Sequence, residues 1–405
     1  MKNFDIKSLK AEEILDSNGR PTVKVCLTTD SNVFFDSVPS GESTGKYEAV
    51  ELRDEDGKGV SKVIENIEKI IFPAVKDMDI LDQKKIDEIL LELDGTKNKS
   101  RLGANAILAV SMVFCRLGAA ARGLPLYSYI SEMIGGKCAL PKPSFNMIEG
   151  GKHSSSGLAF QEFMAVPFKN NFKENFEIGI KIYNKLKEIL ENKYGKENIL
   201  ISREGAFSGP ADIHEVLGFI LEASQGEEFK IAIDVASSSF YQNGLYNISG
   251  KSITREELIN VYKGILSRYP IISIEDPFFE EDFNGISGLE KEGITIFGDD
   301  ITVSNIERIK LAKEKNACNG LILKPNQIGT ITETLEAAKL AKSFSWKVMV
   351  SNRAGETEDD FIADLAVGIC ADFIKSGAPH PKERMVKYKR LEKIEEELYF
   401  GDINL

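Results

Sequence analysis

Histidine is scarce in this chain: His153, His214 and His380 are the only three in 405 residues. That leaves too few imidazoles for a multi-histidine zinc or iron centre. Any metal would have to be held by carboxylates, which select hard cations such as magnesium, manganese or calcium. Cysteine is equally thin. Cys26, Cys115, Cys138, Cys318 and Cys370 show no CxxC spacing, and their odd number allows no complete disulfide framework, so a reducing compartment, the cytoplasm, is expected. The opening residues Met1-Lys2-Asn3-Phe4-Asp5 run into charge without an apolar stretch, and neither a signal peptide nor a membrane span is expected. Basic clusters are also missing. With 51 Lys+Arg against 63 Asp+Glu the net charge is −12, a sign that repels nucleic acid and anionic lipid. No GxGxxG follows the first strand and no Walker loop occurs, which sets a doubly wound nucleotide-binding sheet in second place.

What the chain does contain is ordinary globular material, 42% apolar and 28% charged, over a length that calls for one large barrel or two domains. Residues 4–38 read as three extended runs with "DSNGRP" as a turn, a small antiparallel sheet. Helical spacing of Val60, Val63, Ile64, Ile67, Ile70 and Ile71, then of Ile86, Ile89, Leu90 and Leu93, predicts two amphipathic helices. Ala104–Ala121, apolar and small on nearly all sides, predicts a helix buried against that sheet and ending near Gly123. This gives an N-terminal α+β domain over 1–130 and a second domain over 131–405.

The second domain alternates short apolar runs with helical stretches. "FKIAID" ends at Asp234, "IISIED" includes Glu275, "ITIFGD" ends at Asp299, "GLILK" at Lys324, "KVMVSN" at Asn352 and "ADFIK" at Lys375. The intervals of 41, 24, 25, 28 and 23 residues suit a β/α barrel, whose active residues sit at the C-terminal ends of strands. Three strand-end acids, Asp234, Glu275 and Asp299, would crowd one mouth. Their mutual repulsion and desolvation cost several kcal/mol unless a divalent cation such as Mg²⁺ neutralises them. Lys324 and Lys375 end later strands of the same ring. A lysine buried among apolar residues can lose enough basicity to act as a proton acceptor near neutral pH.

The sequence resembles the enolases. "DSxGxPTV" appears as Asp16–Val23, "VPSGxSTG" as Val38–Gly45, "LDGTxNKSxLGANAILxVS" as Leu93–Ser111, and "QEFM" as Gln161–Met164. "SIEDP" is at Ser273–Pro277, "DDxTVxN" at Asp299–Asn305, "LLKxNQIGT" at Leu321–Thr330 with Ile322 for one leucine, "RxGETED" at Arg353–Asp359 and "IKxGAP" at Ile374–Pro379. The resemblance implies an N-terminal α+β capping domain on an unusual β/α barrel, and dehydration of 2-phosphoglycerate to phosphoenolpyruvate in glycolysis with two Mg²⁺. It implies Asp234, Glu275 and Asp299 as ligands of the first metal and Ser43 of the second. Lys324 is similar to the family's general base, Glu204 to its general acid with Glu162 beside it, Lys375 to the group near the substrate carboxylate and Arg353 to a phosphate ligand. His153 is similar to a residue of the closing loop, and its Gly- and Ser-rich setting predicts an exposed, mobile side chain. His214 and His380 read as surface residues.

The chain also departs from the family pattern. The usual "DEGG" reads Arg203-Glu204-Gly205-Ala206, and in "SHRSGETED" Asn352 replaces the histidine and Ala354 the second serine. A cation at Arg203 would lower the pKa of Glu204 and oppose its role as donor, a role that needs it held protonated by Glu162 and burial. These changes lie on the leaving-group and phosphate side, so proton abstraction is expected to survive while elimination is weakened or redirected. Alternative readings are a paralogue acting on another phospho- or phosphono-carboxylate, as carboxyphosphonoenolpyruvate synthases do, or a non-catalytic binding protein on the same fold. The family's dimer contacts are altered as well: Glu12 would face Glu396 and Lys24 would face Lys393. The partner implied is a small phosphorylated carboxylic acid, with a homo-oligomer in question and neither nucleic acid nor membrane.

Overall fold

The computed structural model describes residues 4–41, 45–154, 156–208, 210, 212–284, 286, 289 and 293–401. Strands Ile6–Leu15, Pro21–Thr29 and Val33–Ser37 form an antiparallel sheet in chain order, with Gly19 supplying the positive φ of 71° at the first turn. Alternation turns Val23, Val25 and Leu27 inward, where they pack under the helix Ala104–Arg122. Burying each such side chain stabilises the domain by about 1.5–3 kcal/mol. That helix is long and apolar enough to cross a membrane by length and composition, but most of it is enclosed as a core helix. It ends at Gly123, whose left-handed conformation (φ 70°) lets the chain leave. The predicted amphipathic pair is present as a segment over 61–75, interrupted by a π-helical turn at Asn66–Ile71, and the helix Gln83–Asp94, whose first turn Asp82 caps.

Eight strands close the second domain into a barrel: Lys142–Glu149, Glu162–Pro167, Phe229–Asp234, Ile271–Glu275, Thr295–Gly298, Gly320–Leu323, Lys347–Ser351 and Phe373–Lys375, the last pairing with the first. The last six are the apolar runs read from the sequence. The strand Glu162–Pro167 runs antiparallel to both of its neighbours, and the rest pair in parallel. Its start rather than its end therefore lies at the mouth. A bulge shifts the register between Asn146 and Ile148 and sets Glu149 opposite Glu162. Met164, Val166, Ala232, Phe297, Ile322, Met349 and Phe373 pack together as a cluster separate from the main core, with side chains that alternate along the strands, which fills the barrel rather than leaving a pore.

The N-terminal domain docks over the mouth. Ser40 bridges to Gly355, the Ser37 hydroxyl donates to Thr357, and Arg116 pairs with Asp36, Asp359 and Asp360.

Candidate active site

Strand ends bring most of the predicted residues to one cavity, which His153, Glu162, Glu204, Asp234, Asp299, Lys324, Arg353 and Lys375 line. Glu275 lies just beneath it, in register with Asp234 on the neighbouring strand. Ser43 lies outside the described residues.

Lys375 is the electrostatic centre. Its Nζ donates to Glu275 Oε2 at 2.8 Å, to Glu162 Oε2 at 2.9 Å and to Asp234 Oδ2 at 3.3 Å. With only 3% of its side chain exposed, burial works against its charge, yet these acids hold it well above its ordinary value. Lys324 Nζ donates to Asp299 Oδ2, and Gln327 donates to the other oxygen at 2.9 Å. Here the structure corrects an expectation. Burial pushes the Lys324 amine down, as anticipated, but Asp299 outweighs it and the net shift is upward.

The leaving-group face differs still more from expectation. Burial would raise Glu204, but Arg384, His153, the Asn352 amide and Lys375 bring it down to about 2. Asn352 Nδ2 donates to Glu204 Oε2 at 2.9 Å and Arg384 Nη1 stands 3.9 Å from the same oxygen. The cation that ionises Glu204 is therefore Arg384, from the helix Lys382–Gly401, while the side chain of Arg203 is exposed. Glu204 is not held protonated by Glu162; Glu162 itself is pushed up to about 7, first by burial. The approach of that helix requires Gly205, whose φ of +83° is left-handed and whose Cβ would lie 2.3 Å from Pro381.

His153 is likewise not an exposed loop residue. Its side chain is 6% exposed, and Nδ1 lies 3.8 Å from Glu149, 3.8 Å from Glu162 and 4.0 Å from Glu204. Burial opposes its charge, but these carboxylates raise it to about 9. His214 and His380 are exposed, as read.

Four acids escaped the sequence reading: Asp276 and Asp300, which line the cavity, and Glu48 and Glu149. Glu48 crosses from the N-terminal domain and takes both Nη atoms of Arg353 at 2.9 and 3.2 Å. Glu149 closes the first barrel strand, and the strand-end signal that found Asp234 and Glu275 would have found it too.

The three expected metal ligands are near enough to act on one another's charge, yet each is turned to a lysine. Asp234 and Glu275 share Lys375, Asp299 turns to Lys324, and ligand atoms within 4.8 Å of one another occur instead at Asp276, Asp299 and Asp300, and at Glu149, His153, Glu162 and Glu204. The donor set still fits a hard cation. Asp300 is pushed up to about 7, and Asp276 and Glu275 are held well above the usual carboxylate range, first by burial and then by neighbouring acids. Among the described residues Lys324 and Lys375 pair directly with this oxygen-rich group, while Arg353 is paired with Glu48. An all-oxygen site short of positive charge suits a divalent cation.

Two family models account for nearly the whole chain: residues 6–130 match the enolase N-terminal domain, and residues 137–402 match the enolase C-terminal TIM barrel domain. The chain belongs to the enolase family. Enolase-family membership makes it a lyase-type fold with an acidic centre able to hold a metal, and the mouth described above is where that centre lies.

Proposed function

We propose that this enolase-family protein is a Mg²⁺-dependent lyase of the cytoplasm that removes the C2 proton of 2-phosphoglycerate and expels the hydroxyl at the neighbouring carbon, giving phosphoenolpyruvate in glycolysis. The observation that carries this reading is one cavity that joins two lysines, their strand-end acids and a second group of carboxylates. Lys324 is bonded to Asp299 and Lys375 to Asp234, Glu275 and Glu162, and His153 stands within 4.0 Å of both Glu162 and Glu204.

Asp234, Glu275 and Asp299 would hold one Mg²⁺, with Ser43 contributing to a second. Bound there, such ions would neutralise the acids and favour the extra negative charge that builds on the substrate carboxylate as the proton leaves. Lys324 takes the C2 proton as a neutral amine, which requires it to give up its bond to Asp299. Lys375 and Arg353 orient the carboxylate and phosphate ends, Arg353 after exchanging Glu48 for the substrate anion. The second group of carboxylates then supplies the proton with which hydroxide departs as water.

The test is to follow C2 proton exchange in D₂O together with phosphoenolpyruvate formation, in wild type and K324M. Exchange with product in the wild type, and neither in K324M, supports the reading. No exchange and no product in the wild type refutes it. A second reading draws on Asn352 and Ala354 in the cavity wall: exchange without product would indicate another phospho- or phosphono-carboxylate as substrate.

A further inference from the structure

Gln327 does not line the cavity and belongs to no step of the mechanism, yet it stands between two charged pairs that do. One pair is Lys324 with Asp299, the other Arg353 with Glu48. The helical turn Pro325–Ile328, which follows Lys324, carries Gln327 into the interior, where it is 1% exposed. Its Nε2 donates to Asp299 Oδ1 at 2.9 Å and to Glu48 Oε1 at 3.4 Å. Its Oε1 accepts from the Ser304 hydroxyl at 2.8 Å, and Ser304 in turn accepts from the Lys324 N–H at 3.0 Å. The amide fits only this way round, because a flip would set its carbonyl oxygen against two carboxylates. Its two hydrogens are therefore divided between an acid of the barrel and an acid of the N-terminal domain. The Asp299 and Glu48 side chains are 11% and 7% exposed, so water replaces little of any bond that either one loses.

We propose that Gln327 is a positioning residue that couples the two ends of the site. An anion arriving at Arg353 loosens Asp299 for a divalent cation, and a cation at Asp299 loosens the hold of Glu48 on Arg353. This rests on the lyase reading above, which assigns Arg353 to the phosphate end and Asp299 to Mg²⁺. When an anion takes the guanidinium, Glu48 keeps the Gly45 N–H and the Gln327 amide. A buried carboxylate stripped of its cation draws harder on the donors it retains, and the amide tightens on Glu48 as it leaves Asp299. Oδ1 of Asp299 is then open to a cation. The converse follows necessarily, because coupling between two binding equilibria is reciprocal. An anion and a cation also attract each other directly, but that attraction does not pass through a neutral amide.

Calorimetry reads the coupling as the ratio of the inorganic phosphate dissociation constants in EDTA and in saturating Mg²⁺. In the wild type, phosphate should bind roughly tenfold more tightly with Mg²⁺. Q327M keeps the length and bulk of the side chain without its donors, and should cut the ratio to about threefold or less, the part left to direct attraction. E48Q leaves no charge to draw the amide over and should cut it to the same extent. The double variant Q327M/E48Q should cut it no further, since residues that act through one contact are not additive. If Q327M does not fold, S304A takes its place, because it removes the hydroxyl that orients the amide and should lower the ratio in the same direction. An unchanged ratio in the folded variant, or additive losses in the double variant, overturns the proposal. Phosphate binding in the wild type that ignores Mg²⁺ overturns it as well, whatever C2 exchange shows. Absence of exchange and product with the ratio and its loss in Q327M intact would instead refute the lyase reading alone.

Discussion

Replacing Lys375 by methionine should convert a metal-independent fold into a metal-dependent one. The side chain is 3% exposed and its ammonium touches Glu162, Asp234 and Glu275, so solvent offers little compensation when it is removed. Breaking a buried ion pair by deleting one partner costs about 3–5 kcal/mol. At no more than roughly 2–4 °C per kcal/mol, the melting temperature in EDTA should drop by at most about 6–20 °C. The loss should also grow with pH. Glu162 already sits at about 7, above its unfolded value, so it binds more protons folded than unfolded, and the stability it contributes is lost as pH rises from about 4.5 through 7. Without Lys375 that window extends upward. If Asp234 and Glu275 hold a divalent cation, Mg²⁺ at 100 times its dissociation constant returns about 2.7 kcal/mol. Thermal melts of wild type and K375M, at pH 6 and 8, in EDTA and in graded Mg²⁺, measure each quantity. Equal melting temperatures for the two proteins in EDTA, or no Mg²⁺ response in K375M, would refute the argument.

Glu48 competes with any anion for Arg353, and a hydrogen bond to a charged group is worth about 1.5–3 kcal/mol. E48Q should therefore bind inorganic phosphate roughly tenfold more tightly by calorimetry, and unchanged affinity would show that Arg353 is not the anion site. Glu204 is held down at about 2, so it contributes stability above its unfolded pKa that is lost as pH falls from about 4.3 toward 2. The stability difference between wild type and E204Q should shrink by roughly 3 kcal/mol across that window in urea titrations; a constant difference contradicts the assignment of Arg384 as its counter-charge. Lys24 Nζ pairs with Glu12 of the same chain at 3.2 Å, across the sheet register, which leaves neither free to meet a like charge on a second copy. We expect light scattering at micromolar concentration to give the 44.9 kDa monomer, and twice that mass would refute it.

The barrel was legible where apolar runs ended in polar residues at a regular interval. Phe229–Asp234 and Ile271–Glu275 are buried along most of their length, so hydrophobicity alone marks them. The strand Glu162–Pro167 was visible only as a motif, because its six buried residues carry no sign of their antiparallel direction. Strand-end chemistry found Asp234, Glu275, Lys324 and Lys375, but not the charge state of the lysines. That depends on which acid each one meets, such as Asp299 beside Lys324, across 25 residues of chain. His153 was misread for the same reason. A loop of glycine and serine reports local mobility, whereas the burial of its imidazole is set by Glu162 and Glu204, which come from elsewhere. Glu48 and Arg384 reach the site from another domain and from the last helix, with no local pattern to announce them.

The bulge near Met147 decides which chemistry the first hairpin of the barrel presents. Before it, Asn146 pairs with Met164; after it, Ile148 pairs with Phe163 and Glu149 with Glu162. Counted on without the inserted residue, Glu149 would stand across from Gln161, and side chains displaced by a single step point to the opposite surface of a strand. Pairing Met147 instead of bulging it out would then preserve the number of strands and their hydrophobic character while turning one acid out of phase with its partner. A slip of a single residue at that point is enough to separate an intact barrel from a working one.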